Sequence, residues 1–303
     1  MLSMFLTLHL VLLNVKVVQT VRNHKVTPLI PNEFDETVPS STMASHLELG
    51  ETRIPDVDDV DDVDADELVI TEELLARAKE LPHDICINGT WHLSGDFKVT
   101  REELSIDEPC NITAERVRLF LKHGLSFEGT VHFHGELWVV AVRRPLNGSC
   151  IDLFEDGVVG PDTVLRFAGC ENRAGSFSAQ GGAMYVGGNL DVRGGFVHIR
   201  DSRAYESGGA IVVADSFTQS GGTVTIVNSA AYSLGGAIYV SSFTQSGGTL
   251  TIANASAKSD GGGIYVDESF THLGGKIEVS GSLARDGGGI YVQRSFTNSG
   301  GKV

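Results

Sequence analysis

An all-β solenoid, the parallel β-helix, is the fold predicted for this 303-residue chain. Three observations predict it. Residues 177–301 repeat with a period of 26–27: isoleucines stand at 211, 238, 264 and 290, with Met184 ahead of them, in steps of 27, 27, 26 and 26. Each repeat is cut twice by a glycine pair, as at Gly221-Gly222 and Gly235-Gly236. Between the pairs lie short alternating runs, in which Val224 and Ile226 flank Thr225, and Ile238 and Val240 flank Tyr239. A fixed period of roughly 20 to 50 residues marks a solenoid or array. Alternation over four or five residues marks a strand. Glycine takes positive φ without a Cβ clash, so the pairs read as sharp corners.

One repeat reads Ser-Phe-Thr-x-Ser-Gly-Gly-x-Val/Leu-Thr-Ile, a polar corner, then Gly-Gly-Ala/Gly-Ile-Tyr-Val. Three short strands and three corners fit this length, and like residues of successive turns then stack about 4.8 Å apart. The inward columns are Ile211/Ile238/Ile264/Ile290, Val213/Val240/Val266/Val292 and Phe217/Phe243/Phe270/Phe296. One turn cannot bury its own apolar face, so neighbouring turns supply the stability. A propeller blade needs about 40 residues and a leucine-rich repeat needs its Leu/Asn framework; neither is present. Tyr239, Tyr265 and Tyr291 alternate with the inward residues and are expected to face solvent. There they would grip a glycan or protein partner, or simply stabilise one another as like neighbours. Thr218/Thr244/Thr271/Thr297 and Gln219/Gln245/His272/Asn298 form further repeated positions of the same outward set.

The segment 228–239, Asn-Ser-Ala-Ala-Tyr-Ser-Leu-Gly-Gly-Ala-Ile-Tyr, resembles the repeats of chlamydial polymorphic outer-membrane proteins. Those pair a Gly-Gly-Ala-Ile motif with a Phe-x-x-Asn motif. Residues 254–265 are similar, and so are 201–212 with Asp in place of Asn; Ile226 and Ile252, not Phe, precede Asn228 and Asn254. More widely, 165–303 is similar to the right-handed, pectin-lyase-like β-helix superfamily, and 84–164 more loosely so. The resemblance implies a right-handed β-helix and leaves the function open.

From the N-terminus, residues 1–20 read as a secretion signal. The apolar run 2–15 ends at Lys16, is too short to span a membrane and would be cleaved near Gln19-Thr20. Residues 21–68 read as an acidic, disordered linker or propeptide. They hold Pro28, Pro31, Pro39 and Pro55, half of the 8 prolines. Within them 56–67 reads Asp-Val-Asp-Asp-Val-Asp-Asp-Val-Asp-Ala-Asp-Glu. It lacks the glycine and glutamate spacing of an EF-hand loop, which favours a solvated spacer over a Ca²⁺ site.

Residues 69–83 are expected to cap the solenoid. The spacing predicts a helix over 71–81, opened by Thr71 and stopped by Pro82, with Leu74, Leu75, Ala78 and Leu81 on one stripe. Residues 84–164 read as irregular turns, with strands over 116–121, 130–134 and 137–142. Residues 165–303 are the regular repeats. The chain stops at Gly300-Gly301-Lys302-Val303, where another strand is due, so continuation or end-to-end association at this edge is expected.

A net charge of −16 excludes a nucleic-acid partner, which demands a basic footprint. Cys86, Cys110, Cys150 and Cys170 suggest two disulfides in an exported chain, with three pairings open. Asn88, Asn111, Asn147 and Asn254 head glycosylation sequons.

Catalysis on such a scaffold needs converging carboxylates. Asp260 and Asp286 precede glycine pairs in adjacent turns, but Ser207 and Leu234 hold the earlier equivalents. His132 and His134 share a strand face without a third ligand at a diagnostic spacing, so no metal and no cofactor are predicted. The leading expectation is therefore a non-enzymatic, secreted or surface solenoid for adhesion or partner binding. The alternative is a carbohydrate-active enzyme (polysaccharide lyase or glycoside hydrolase) using His132, His134, Glu136 and Asp152.

Overall fold

The structure is a computed structural model that describes residues 70–82, 86–101, 104–142, 144–146, 148–173 and 179–303. The expected secretion signal and the acidic linker lie outside these residues. Among the described residues the protein is a parallel β-helix: a 19-stranded sheet and a four-stranded sheet, in which successive turns pair in parallel.

Three faces wind around one apolar interior. Face A stacks Leu104–Ile106, Leu125–Phe127, Ile151–Leu153 and Met184–Val186, then 211–213, 238–240, 264–266 and Ile290–Val292. Face B runs from 90–94 through 131–133, Leu190–Val192 and 216–219 to Ser295–Asn298. Face C runs from 96–99 through 117–121, Phe196–Arg200 and Thr223–Val227 to Lys276–Ser280. A minor ladder of two-residue strands, such as Arg203–Ala204 and Ala230–Ala231, closes the turn.

Each turn is not three separate short strands, as the sequence suggests. Neighbouring faces fuse. Cys110–Leu121 and Val131–Ala141 each carry faces B and C across one register shift, so the strands expected at 130–134 and 137–142 are one. A single residue of positive φ, Arg116 or Gly135, redirects the chain there without ending the ladder. In the repeats it is faces A and B that fuse, as in Ile211–Gln219, and the glycine pair turns the chain into face C. Gly222 has φ 69°, and a Cβ on it would stand 2.5 Å from the carbonyl of Gly194 in the turn below. Stacked corners leave no room for a side chain.

In the inward columns like residues stack in register from turn to turn. Ile211, Ile238, Ile264, Phe217, Phe243 and Phe270 are all buried. Among the described residues the 290–298 turn is paired on one side only, and there Ile290 is half-buried and Phe296 is 53% exposed. Gln219, Gln245 and His272 correct the outward assignment: all three are fully buried. They alternate with Thr218, Thr244 and Thr271 and so share the inward side with the phenylalanines. Gln219 Nε2 donates to the Thr249 carbonyl at 3.0 Å and Gln245 Nε2 to Gln219 Oε1 at 3.0 Å, while Gln245 Oε1 and His272 Nε2 are buried without a hydrogen-bond partner among the described residues.

The helix is shorter than expected, Glu72–Arg77, with the Thr71 hydroxyl accepting from the Leu74 N–H at 3.1 Å. Ala78 is extended, Lys79–Glu80 pairs with Phe97 and Lys98, and Leu81 enters the interior. It also sits elsewhere. It packs on the outside of face C, where Ile70, Leu74, Leu75 and Ala78 cover Phe120, Val140, Val142 and Ala168. Phe120 and Val140 are outward positions occupied by apolar side chains, and burying them is what the helix stripe contributes.

Candidate functional site

The outward column of face A is Ser126, Asp152, Tyr185, Val212, Tyr239, Tyr265 and Tyr291, by register. Tyr239 and Tyr265 stack at 5.4 Å and 5°, and Tyr265 and Tyr291 at 5.2 Å and 10°. The ring planes lie across the solenoid axis, so each ring covers its neighbour's face. Tyr265 is only 7% exposed, which corrects the expectation that it stands in solvent. Its hydroxyl donates to Gln293 Oε1 at 2.7 Å. Burial, and then the Asp267 carboxylate, push this phenol up to about 12; the same two causes raise Tyr239, with Glu206 adding to them. The column therefore presents rims and neutral hydroxyls, one per turn, and keeps its ring faces for itself.

A second aromatic column lies on the adjoining corner, and sequence reasoning missed it. Tyr205 and Tyr232 follow the minor-ladder strands and stack at 5.4 Å and 9°. They are 60% and 42% exposed. In the next turn Lys258 Nζ stands 4.3 Å from the Tyr232 ring and donates to its hydroxyl at 2.9 Å, a cation–π contact. Ala204-Tyr205 and Ala231-Tyr232 recur at the repeat spacing, which is the signal that would have found them. Glu206 is near enough to act on Tyr239, so the two columns border one lateral surface.

The other candidates do not converge. Arg285 holds both Asp260 (3.1 Å) and Asp286 (3.2 Å), so that pair is an ion-paired corner. His134 Nδ1 lies 3.4 Å from Asp162 Oδ1 on face B. Glu136 Oε1 accepts from Trp138 Nε1 at 2.8 Å, with Arg116 at 3.9 Å. Asp152 is on face A, away from both, and burial raises its carboxyl against opposing hydrogen bonds from Ser149. Among the described residues no group of three His, Cys, Asp or Glu is placed to hold a metal ion.

The disulfides are Cys86–Cys110 and Cys150–Cys170, which resolves the three pairings open to the sequence. Such bridges fit an oxidising compartment. Asn88, Asn111 and Asn254 are exposed, and Asn147 lies outside the described residues. Among the described residues no helix is long and apolar enough to cross a membrane. Comparison with protein-family models, with curated proteins and with solved structures gives no match.

Proposed function

We propose that this chain is a secreted or cell-surface β-solenoid that binds an extended glycan or protein partner along the side bearing the two tyrosine columns. The observation that carries this reading is the pair of stacked columns on one lateral surface, Tyr239/Tyr265/Tyr291 beside Tyr205/Tyr232/Lys258. A linear ligand lying along the axis would meet an equivalent neutral hydroxyl or aromatic rim at every turn, and Lys258 adds a cation for an acidic group. The faces of Tyr239, Tyr265 and Tyr291 are taken by one another, so their contribution is hydrogen bonding and edge contact, not ring-on-sugar stacking. The disulfides and the exposed sequons agree with passage through a secretory route. The likeness of 228–239 to outer-membrane repeats agrees with display at a surface.

The test is binding of the purified, secreted protein to a panel of neutral and acidic polysaccharides. A Tyr205→Ala/Tyr232→Ala variant, in which solvent-facing rings are removed, should lose affinity by about tenfold, the scale of an interface anchor. Unchanged affinity for every ligand found would overturn the reading. The half-buried Asp152, with its raised carboxyl beside Tyr185, favours the second reading of a carbohydrate-active enzyme. Release of reducing or unsaturated ends from the same panel, with and without Ca²⁺, would establish that reading instead.

A further inference from the structure

Face B of the regular repeats presents an uncharged, hydroxyl-bearing surface. Phe217, Phe243 and Phe270 are buried, so the residues on either side of them point outward. Ser216, Ser242, Ser269 and Ser295 form one outward column in unbroken register, and Thr218, Thr244, Thr271 and Thr297 form a second. Ser220, Ser246, Leu273 and Ser299 follow at the next outward position of each turn. Every one of these residues is half-buried or exposed. Across the three columns and four turns only Leu273 lacks a hydroxyl, and no position carries a charge, in a chain that is 20% charged. Charge begins at the borders. Asp191 pairs with Arg193 at 2.7 Å in the turn below. Glu268 pairs with Arg294 at 3.1 Å on the side of the serines, and Lys276 with Glu278 at 2.7 Å on face C.

These positions form a lattice. Successive turns lie about 4.8 Å apart, and the serine and threonine of one strand, two residues apart, are separated by about 6.6 Å. Beneath them Phe243 stacks on Phe270 and Phe270 on Phe296, both at 5.0 Å. Side-chain ladders of this kind hold a sheet flat. A ligand complementary to the surface is itself periodic in two directions, uncharged, and able to donate and accept hydrogen bonds. A mineral or polyanion finds no charge here to pair with. A crystalline polysaccharide finds no aromatic platform, because the outward tyrosines stand on face A and its adjoining corner. Ordered water meets every condition. Each hydroxyl donates and accepts, each threonine methyl restricts the water beside it, and both spacings lie close to the oxygen repeats on the prism face of hexagonal ice.

We propose that face B over residues 216–299 is an ice-binding surface, on which the serine and threonine columns hold water in register with the crystal. Neutrality selects this occupant over charged ligands, and the two-dimensional repeat selects a crystal face over a single soluble molecule. The surface is distinct from the tyrosine columns, so the proposal stands or falls independently of what they bind.

The test uses the purified full chain and two readouts, inhibition of ice recrystallisation and the gap between melting and freezing temperatures. Wild type should show both. Thr244→Lys sets a charge in the middle of the lattice and should raise the concentration needed for inhibition at least about tenfold, because the ammonium must shed water to lie against ice. Thr251→Lys sets the same side chain on the outside of face C in the same turn and should leave inhibition unchanged. Circular dichroism reports whether each variant keeps the wild-type fold. If Thr244→Lys does not, Ser246→Lys at the exposed edge of face B carries the same expectation. A wild-type chain without effect on ice overturns the proposal, and so do equal losses in the face B and face C variants. Retention on crystalline cellulose or chitin in place of ice overturns it as well.

Discussion

Turns built on residues 90–168 and turns built on 211–298 wind the same three faces but close them by different means. The first group fuses faces B and C across a single positive-φ residue and fills its interior with mixed large side chains, Phe127, Phe133, Leu119 and Phe167 among them. It carries both disulfides and the lateral helix. The second group fuses faces A and B, turns on glycine pairs and fills its interior with like residues in register. Phe217 meets Phe243 edge to face at 5.2 Å, and Phe243 stacks on Phe270 at 5.0 Å. At the corner, Asn254 Nδ2 donates to Asn228 Oδ1 at 3.3 Å and Asn228 Nδ2 to Asp201 Oδ1 at 3.2 Å. The difference teaches that repetition substitutes for cross-linking: when every turn offers its neighbour the same shape, no staple is needed. Where the two patterns meet, a gap of about 10 Å³ remains between Val159, Met184, Leu190 and Phe217, apolar and too small for a ligand.

The largest effect is expected at the centre of a repeated column. Phe243 is buried between two like rings, so Phe243→Ala should cost about 3–5 kcal/mol. Phe296, with 53% exposure and one ring neighbour, should cost well under half of that. The 2 tryptophans, Trp91 and Trp138, both lie in the first group. Denaturant unfolding of Phe243→Ala should therefore separate in two probes, circular dichroism shifting more than tryptophan fluorescence. Coincident shifts would show that the two groups unfold as one unit and would break the comparison.

The disulfides should give the converse. Their sequence separations are 24 and 20 residues, loops whose closure is worth about 3 kcal/mol each. Replacing Cys86 and Cys110, or Cys150 and Cys170, by serine should move the fluorescence transition more than that of circular dichroism. A larger shift in the repeats than in the stapled turns would reverse the assignment of what each group relies on.

Legibility in the sequence follows the same division. The period, the inward isoleucines and phenylalanines and the glycine corners were readable because each recurs, and recurrence reports a vertical contact. The irregular turns were readable only as alternating segments. Nothing in residues 130–142 says that Gly135 redirects a strand without ending it. The helix was visible as an amphipathic stripe, but the stripe does not name its partner, and Phe120 and Val140 are outward residues recognisable only once register is known. Polarity alone suggests exposure for Gln219, Gln245 and His272, but alternation with Phe217, Phe243 and Phe270 puts them inside, where the Gln245 amide donates to that of Gln219. On the candidate site, the alternation that exposed Tyr239 and Tyr291 also predicted an exposed Tyr265. Stacking is a property of three turns together, and it closes the middle ring.

His198 lies on Phe196–Arg200, the turn between the two groups, and offers the smallest and most local probe. Burial first, then Arg166 and Arg200, lower its imidazole from 6.5 to about 4. The unfolded chain takes up a proton near 6.5 that the folded chain refuses until near 4. Stability should therefore be full above that window, fall as pH drops through it and level off below. Asp152, with a raised carboxyl, works in the opposite sense, since its folded form holds a proton longer as pH rises. Comparing wild type with His198→Gln cancels that contribution. The variant should lose on the order of 2 kcal/mol of the pH dependence between those limits. If tryptophan fluorescence and circular dichroism report the same loss, the junction turn couples both groups; if the variant keeps the wild-type slope, the imidazole is not held neutral by its burial beside Arg166 and Arg200.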